Sequence, residues 1–167
     1  LYAAAFTKRR KARDLYECGE RIEGNRAYLT RHTYESDKQY DIRASRATYR
    51  NFAAPIVDVF ASFINEGRPE RILPDALRPI EADADRYGMT ADAFFADVTR
   101  LAAAGGARFV IVDMEQKKGE TVAEDRASGR RMVPYFTSIS PDDVWDWGMD
   151  AKGLAWAVIH SEEMERP

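Results

Sequence analysis

The chain is poor in the two side chains that most often carry chemistry. Its 167 residues include two histidines, His32 and His160, and one cysteine, Cys18. A single cysteine excludes an intrachain disulfide and a zinc site built from thiolates. A histidine-bearing metal site needs two or three converging ligands, and nothing in the sequence pairs with either histidine. We predict structural or surface roles for both histidines and a packing role for Cys18.

Long apolar runs are also missing. No stretch approaches the roughly 20 apolar residues that cross a bilayer, so we expect no membrane contact. Hydrophobic residues make up 45% and aromatic residues 11% of the chain, which argues against disorder. The sequence starts at Leu1 and stops at Pro167, just after a strand-like run. We therefore expect a fragment of a longer protein, with one domain overall.

Charge is unevenly distributed along the chain. Residues 1–50 contain 12 Lys/Arg against 7 Asp/Glu, a balance of +5, whereas residues 51–167 contain 13 against 21, a balance of -8. This polarity suits attraction to a charged partner or to a neighbouring copy. The basic residues are densest between Lys8 and Arg13. That cluster could contact phosphates or simply form a solvated helix face.

The N-terminal half reads as mostly helical. We divide the chain into an N-terminal helix with a tyrosine-rich connector, residues 1–50, and a helix-plus-antiparallel-sheet core, residues 51–167. Gly19 or Gly24 is predicted to end the first helix. The connector shows no clean period, and its apolar and aromatic side chains are predicted to pin loops to the core. These are Tyr28, Leu29, Tyr34 and Tyr40.

The clearest helical pattern runs from Asn51 to Gly67. Pro55 fits the first turn, and Gly67 is predicted to be a left-handed C-cap. Apolar residues recur at spacings of three and four, so Phe60 and Phe63 are predicted to lie in the core. Truncating either to alanine would then cost about 3–5 kcal/mol. A preceding helix is predicted around Arg46, Ala47 and Tyr49.

Two further helices are predicted before the strands begin. Residues 68–88 contain three prolines and read as a loop with one short helix from Pro79 to Arg86. Thr90 is a suitable N-cap for a helix from Ala91 to Ala104, and Gly105-Gly106 would end it.

The C-terminal half reads as antiparallel strands. Phe109 to Val112 is predicted to be a strand buried on both faces, paired with Val133 to Ile139 across a long polar tip, residues 115–131. Ser140 to Asp143 reads as a capped turn. A second hairpin joins Val144–Trp147 to Leu154–His160. The predicted fold class is α+β, with a helical N-terminal half packed on a small antiparallel β-sheet of hairpins.

Candidate catalytic groups are limited to carboxylates. Asp113 and Glu115 end the first strand, and Asp142, Asp143 and Asp146 cluster later. Such groups can hold Mg²⁺ or divide acid and base roles, but they are also common on ordinary surfaces. A small metal-dependent enzyme is therefore one alternative. We predict no enzyme and no catalytic, cofactor-binding or metal site.

The three tryptophans and the paired glycines have two interpretations each. Trp145, Trp147 and Trp156 could stack on bases, but their alternation in adjacent strands favours core or interface packing. Gly105-Gly106 lacks the sequence context of a nucleotide-binding loop. A second alternative is accordingly a nucleic-acid-binding module that combines these tryptophans with the Lys8–Arg13 cluster.

The ordered series of patterns resembles the N-terminal wing region of tailed-bacteriophage portal proteins, the head–tail connectors. The similarity lies in order rather than in any one motif. The matching pieces are Tyr28 to His32, Glu35-Ser36, Tyr40 to Arg43, Arg46 to Asn51, the helix with Pro55, Val57 and Phe60, the helix–glycine–strand pattern from Gly105 to Asp113, Pro134-Tyr135, Ile139 to Val144, Trp147, and Gly153 to Ile159.

This resemblance implies a structural protein without enzymatic activity. A portal is a dodecameric ring at one capsid vertex, through which DNA is packaged and ejected. The implied partners are copies of the chain itself, terminase, capsid and head–tail adaptor proteins, and the DNA in the channel. The implied locations are the virion and, during assembly, the host bacterial cytoplasm. The stem and clip of the family are expected beyond Pro167.

Overall fold

A computed structural model describes residues 2–18, 22–23, 25–67, 69–115, 119–127 and 132–160, without the side chains of residues 2–6, 122 and 126. About 44% of the chain is helix and 17% is strand, in two small antiparallel sheets, which confirms the α+β prediction. Five of the described α-helices precede residue 106, and the strands follow from Phe109 onward with one further short α-helix among them. Among the described helices, none combines the length and hydropathy that spanning a bilayer requires.

The first helix, α1 (Tyr2–Glu17), ends where Cys18 adopts a left-handed backbone with φ 61°. Gly19 and Gly24, the predicted terminators, lie outside the described residues. The carbonyls of the last turn of a helix have no partner within the helix. Tyr49 Oη donates to the carbonyl of Leu15 at 3.0 Å, and Asn51 Nδ2 donates to that of Tyr16 at 2.7 Å. The segment before the third helix thus closes the end of α1.

The connector, for which no helix was predicted before Arg46, contains α2 (Asp37–Arg46). Ser36 Oγ accepts from the backbone N–H of Gln39, and the Gln39 side chain accepts from the backbone N–H of Ser36, which is a capping box. Arg46 is the last residue of α2, and Ala47 leaves the helix with extended backbone. The predicted helix through Ala47 and Tyr49 was therefore wrong.

Two of the three connector tyrosines pin the chain as predicted. Tyr28 Oη donates to Asp14 at 2.6 Å, and Tyr40 Oη donates to the carbonyl of Leu29 at 2.9 Å. Tyr34 is exposed, so its predicted anchoring role was wrong.

The helix α3 (Ala53–Ile64) contains Pro55 in its first turn, as predicted. It ends before Gly67, with Asn65 as C-cap at φ -99°, and Asn65 Nδ2 donates to the carbonyl of Ala61 at 2.7 Å. The Asn65 amide thus satisfies a carbonyl at the end of α3, a role that we had predicted for a left-handed turn at Gly67. The predicted Gly67 cap was wrong for that reason.

A short 3₁₀ turn (Asp75–Leu77) and the single-turn helix α4 (Pro79–Ala82) precede α5 (Ala91–Gly105). The predicted helix at Pro79 is therefore shorter than expected. Thr90 Oγ1 accepts from the backbone N–H of Ala93, and Gly106 is a left-handed C-cap at φ 80°. Both ends of α5 are as predicted. Gly106 suits its place because glycine alone adopts this backbone without strain.

The strands form two separate antiparallel hairpins. In the first, β1 (Phe109–Asp113) pairs with β2 (Tyr135–Ile139), so that Phe109 lies opposite Ile139 and Asp113 opposite Tyr135. The tip between them contains a helix that we did not predict, α6 (Val122–Ala127), capped by Thr121 and Glu124. After a 3₁₀ turn at Pro141–Asp143, β3 (Val144–Asp150) pairs with β4 (Gly153–Ile159).

The main core lies between α4, α5 and the first hairpin. It is a cluster of buried and partly buried apolar side chains, in which Phe94 and Phe136 have ring centroids 5.7 Å apart. Its members are Leu77, Ile80, Ala84, Ala91, Phe94, Val98, Val110, Val133 and Phe136.

The first strand is not buried on both faces as predicted. Val110 faces the core, but Phe109, on the opposite face, is 40% exposed, and Val112, on the same face as Val110 but further along the strand, is 63% exposed. A run of β-branched and aromatic residues indicated a strand correctly. It did not indicate burial on two faces, because a two-stranded sheet here has one layer packed against it.

Candidate interaction surfaces

The helix α3 turns its large apolar residues to solvent and its small ones to the protein. Ala61 is buried, and α3 packs on α5 and α1. Phe60 and Phe63 are 65% and 70% exposed, so their predicted place in the core was wrong. Their spacing indicated an amphipathic helix but not which side of it faces the protein. Exposed residues on this side, which we call the α3 face, are Phe52, Ile56, Val59, Phe60, Phe63 and Ile64.

A polar junction fixes α3 in this orientation. Tyr16 Oη donates to Asp58 Oδ1 at 2.7 Å, and Arg100 Nη1 donates to Tyr16 Oη at 2.6 Å. Arg100 also pairs with Asp97. Partial burial and the bond to Asp58 raise the pKa of Tyr16. The junction joins α1, α3 and α5 through residues 42 and 84 positions apart, and no local sequence signal predicted it.

The α3 face is large for a protein surface. Aromatic side chains offer about 150–250 Å² each, so six residues that are all more than half exposed leave on the order of 700 Å² of apolar area. The largest apolar patch on a typical monomer is roughly 300–600 Å² and is often functional. The face therefore has the size of a binding surface.

The second hairpin is also rich in exposed apolar side chains. Trp147 and Met149 lie two residues apart on β3 and therefore on one face of the sheet. Their cross-strand partners, Ala157 and Leu154, share this face, and the register of the pairing shifts between Gly148 and Met149. We call this apolar surface the Trp147 face. Trp147 is 40% and Met149 68% exposed, so core packing is not the role of Trp147. An isolated two-stranded hairpin is marginally stable in water.

The opposite side of this hairpin holds Trp156 over Gly148. A Cβ at Gly148 would lie 2.3 Å from Trp156 Nε1, so the indole occupies the space that a side chain would need. Trp145 stacks on His160, with ring centroids 4.9 Å apart and an angle of 4° between the rings. His160 therefore has a packing role, which accords with its predicted structural role.

The predicted carboxylate groups do not come together. Asp113 accepts from Tyr135 Oη at 2.8 Å, which lowers the pKa of the aspartate, and Glu115 pairs with Arg86 at 2.6 Å. Asp142 pairs with Arg13 at 2.6 Å beyond the far end of β2. A five-residue strand spans about 15 Å, which separates the two groups.

Other carboxylates of the predicted cluster serve the backbone. Asp146 Oδ1 accepts from the N–H of Trp147 at 2.9 Å, and Asp143 lies within the 3₁₀ turn. Within the described part of the chain, no three His, Cys, Asp or Glu side chains are grouped so that they could hold a metal ion. The carboxylates on which the metal-dependent alternative was based are therefore not assembled into one site.

The basic cluster is divided between internal contacts and solvent. Arg13 pairs with Asp142 and Glu17, and Lys11 Nζ lies 5.8 Å from the centroid of the Tyr28 ring. Lys8 and Arg10 are exposed on α1. The cluster therefore contributes part of its charge to holding α1 against the turn at Pro141–Asp143.

A cavity of about 230 Å³ lies between α1, the connector and α2. Its apolar lining includes Leu15, Ile22 and Leu29, and Lys11 and Arg26 also line it. Arg26 pairs with Asp41 at 2.6 Å, so one of the two basic side chains that line the cavity already has a partner within the chain.

No protein-family model matches the chain, and no curated protein matches it significantly.

Proposed function

We propose that this chain is a structural subunit segment that assembles with copies of itself, as in the wing of a phage or prophage portal ring. The observation that carries the proposal is the α3 face. A helix that buries alanine and exposes two phenylalanines and two isoleucines, with a third exposed phenylalanine at its N-cap, leaves apolar area in water, which is unfavourable by about 25 cal/mol per Å². Covering this area by protein contact would recover that free energy.

The resemblance supplies the finer part of the proposal. In that setting the full-length product forms a ring that passes DNA, docks terminase during packaging and later holds the tail, with no reaction to perform. Its locations would be the virion and, before that, the host bacterial cytoplasm. The charge balance of +5 and -8 between residues 1–50 and 51–167 favours contacts between unlike ends of neighbouring copies.

Electron microscopy and sedimentation of the full-length product test this proposal. We expect rings with a central channel and a mass that is a fixed multiple of the protomer. A product that stays monomeric under every assembly condition would overturn it. The order of neighbouring genes gives an independent check, because a terminase gene upstream and capsid genes downstream are expected.

The nucleic-acid module is a second candidate, favoured by the exposure of Lys8, Arg10 and Lys11 on α1. A salt titration of DNA binding discriminates between the two. Each phosphate contact adds about -0.9 to the slope of log K against log salt for duplex DNA. A slope close to zero removes this candidate, whereas a slope of -2 or steeper that the triple change of these residues to glutamine abolishes would support it.

A further inference from the structure

The two apolar surfaces of the chain differ in kind. The α3 face is a ridge of phenylalanine, isoleucine and valine on a helix held by α1 and α5. The Trp147 face lies on a two-stranded sheet whose strands β3 and β4 pair with each other. A contact between two identical α3 faces would leave the Trp147 face in water, and a contact between two Trp147 faces would leave the α3 face in water. A contact between the α3 face of one copy and the Trp147 face of another covers both surfaces.

We propose that the α3 face of one copy packs against the Trp147 face of the next copy, in a head-to-tail contact. This inference rests on the proposed function, since it names the surfaces through which that assembly would form. A heterologous contact leaves one free face at each end, so it generates a ring when the rotation between copies closes.

The areas fit this pairing. Each side of a standard protein interface buries about 800 Å², and the α3 face alone exposes on the order of 700 Å² of apolar surface. On the other side of the contact, the Trp147 face exposes Trp147, Met149 and Leu154 to 40%, 68% and 63%. Tryptophan is among the residues that contribute most to binding when buried at the centre of an interface.

The surrounding charges have opposite signs. The hairpin, residues 144–159, contains two aspartates and one lysine, and the two aspartates of the turn before it include Asp142, which is paired with Arg13. The exposed Arg46 and Arg50 precede the N-terminus of α3, where the helix dipole adds further positive potential. The unlike charges of these two segments favour this orientation over the pairing of like surfaces.

The test uses one variant for each face in the full-length product. Phe60→Gln with Phe63→Gln removes the α3 face and keeps good helix-forming residues. Met149→Thr with Leu154→Thr removes the Trp147 face and keeps residues that favour strands. Ile72→Thr is the matched control, because Ile72 is 93% exposed and lies on neither surface. Circular dichroism confirms that each variant is folded.

Sedimentation of the variants alone and mixed separates the possible arrangements. We expect each double variant to associate at least about ten-fold more weakly than the unmodified protein and to form no rings. An equimolar mixture should form heterodimers that grow no further, since one intact face of each kind remains. The Ile72→Thr protein should assemble normally.

Other outcomes overturn the inference in distinguishable ways. If only the α3 variant loses association, the contact is between identical faces; if only the hairpin variant does, the same holds for the hairpins. In both cases assembly from copies of the chain stands, but a ring would need a second contact, because identical faces close at two copies. Rings formed by both variants would place the contact elsewhere and also leave the function standing. An unmodified product that never assembles would overturn both.

A cross-linking experiment keeps the inference testable if a double variant fails to fold. In a Cys18→Ser background, Phe63→Cys protein is mixed with Leu154→Cys protein and oxidised. We expect a mixed disulfide dimer in greater yield than either single-cysteine protein forms alone. Equal yields with an Ile72→Cys control in place of either partner would contradict the inference.

Discussion

At the scale of single residues, Gly148 is a position where one methyl group has a large consequence. The Trp156 indole fills the space beside its Cα, with Nε1 2.3 Å from where a Cβ would lie. We expect Gly148→Ala to displace the indole and to lower the free energy of unfolding by about 1–3 kcal/mol, as overpacking does. Urea unfolding and near-ultraviolet circular dichroism measure the two effects.

Gly105→Ala is the matched control for this substitution. Gly105 lies in α5 with no atom within 4 Å of the position of its Cβ. Alanine there should stabilise the helix by about 0.5–1 kcal/mol. A Gly148→Ala protein as stable as the unmodified chain would contradict the packing described for Trp156.

A second residue-scale prediction concerns the ion pair that holds the connector to α2. Arg43 Nε and Nη2 donate to the two carboxylate oxygens of Glu35 at 2.8 and 2.7 Å. These bonds lower the pKa of Glu35 from 4.5 to about 2. Because the folded pKa is below the unfolded one, the stabilisation is complete above pH 4.5 and is lost as the pH falls towards 2.

Thermal unfolding of the unmodified chain and of Glu35→Gln, measured from pH 7 to pH 2, checks this linkage. We expect a higher Tm for the unmodified chain, by a constant margin above about pH 5 that disappears between pH 4.5 and 2. Arg43→Lys keeps the charge but not the two-pronged geometry, so its margin should be intermediate. A margin that persists at pH 2 would show that Glu35 stabilises the fold by other means.

At the scale of elements, the junction at Tyr16 determines how three helices meet. Its hydroxyl both donates to Asp58 and accepts from Arg100. We expect Tyr16→Phe to cost about 1–2 kcal/mol, because hydrogen bonds to charged groups are worth more than neutral ones and this site is partly open to water. Chemical denaturation measures the change. Tyr34→Phe, at an exposed loop position, should stay within about 0.5 kcal/mol of the unmodified chain.

Elements with local signals could be predicted from the sequence. Thr90 and Gly106 delimited α5 because caps are short-range features, and the strands of both hairpins were indicated by β-branched and aromatic residues. The capping box from Ser36 to Gln39 was equally local and would have identified α2 if read. Contacts between distant residues, such as Tyr16 with Arg100, carry no such signal.

The side of α3 that faces the rest of the chain was harder to predict than the helix itself. The apolar stripe of α3 has the period of a helix, but the same stripe can face the core of its own chain or solvent. The alanines on its other side decide the matter, because small residues allow close approach to α1 and α5. The candidate surface was thus visible in the pattern and assigned to the wrong environment.

At the scale of the whole molecule, the exposure of α3 separates folding from assembly. Phe60→Ala or Phe63→Ala should change the free energy of unfolding by less than about 1 kcal/mol in dilute solution, since both rings are already mostly in water. Phe94→Ala, in the buried core, should cost about 3–5 kcal/mol. Urea titrations at low protein concentration measure all three.

The opposite ranking would contradict the orientation of α3. A loss of several kcal/mol in a Phe60→Ala monomer would mean that the ring is buried against its own chain. Retention of stability together with higher solubility would instead match a ring that lies on the surface.

The three tryptophans of the chain all belong to β3 and β4. Excited at 295 nm, where tyrosine hardly absorbs, the protein therefore emits from one hairpin alone. Binding of another molecule to this hairpin would bury the indole rings. The emission would then shift to shorter wavelength, and a quencher such as acrylamide would reach the rings less readily. The natural sequence thus contains its own fluorescent probe, placed where contact with another molecule would change the tryptophan emission.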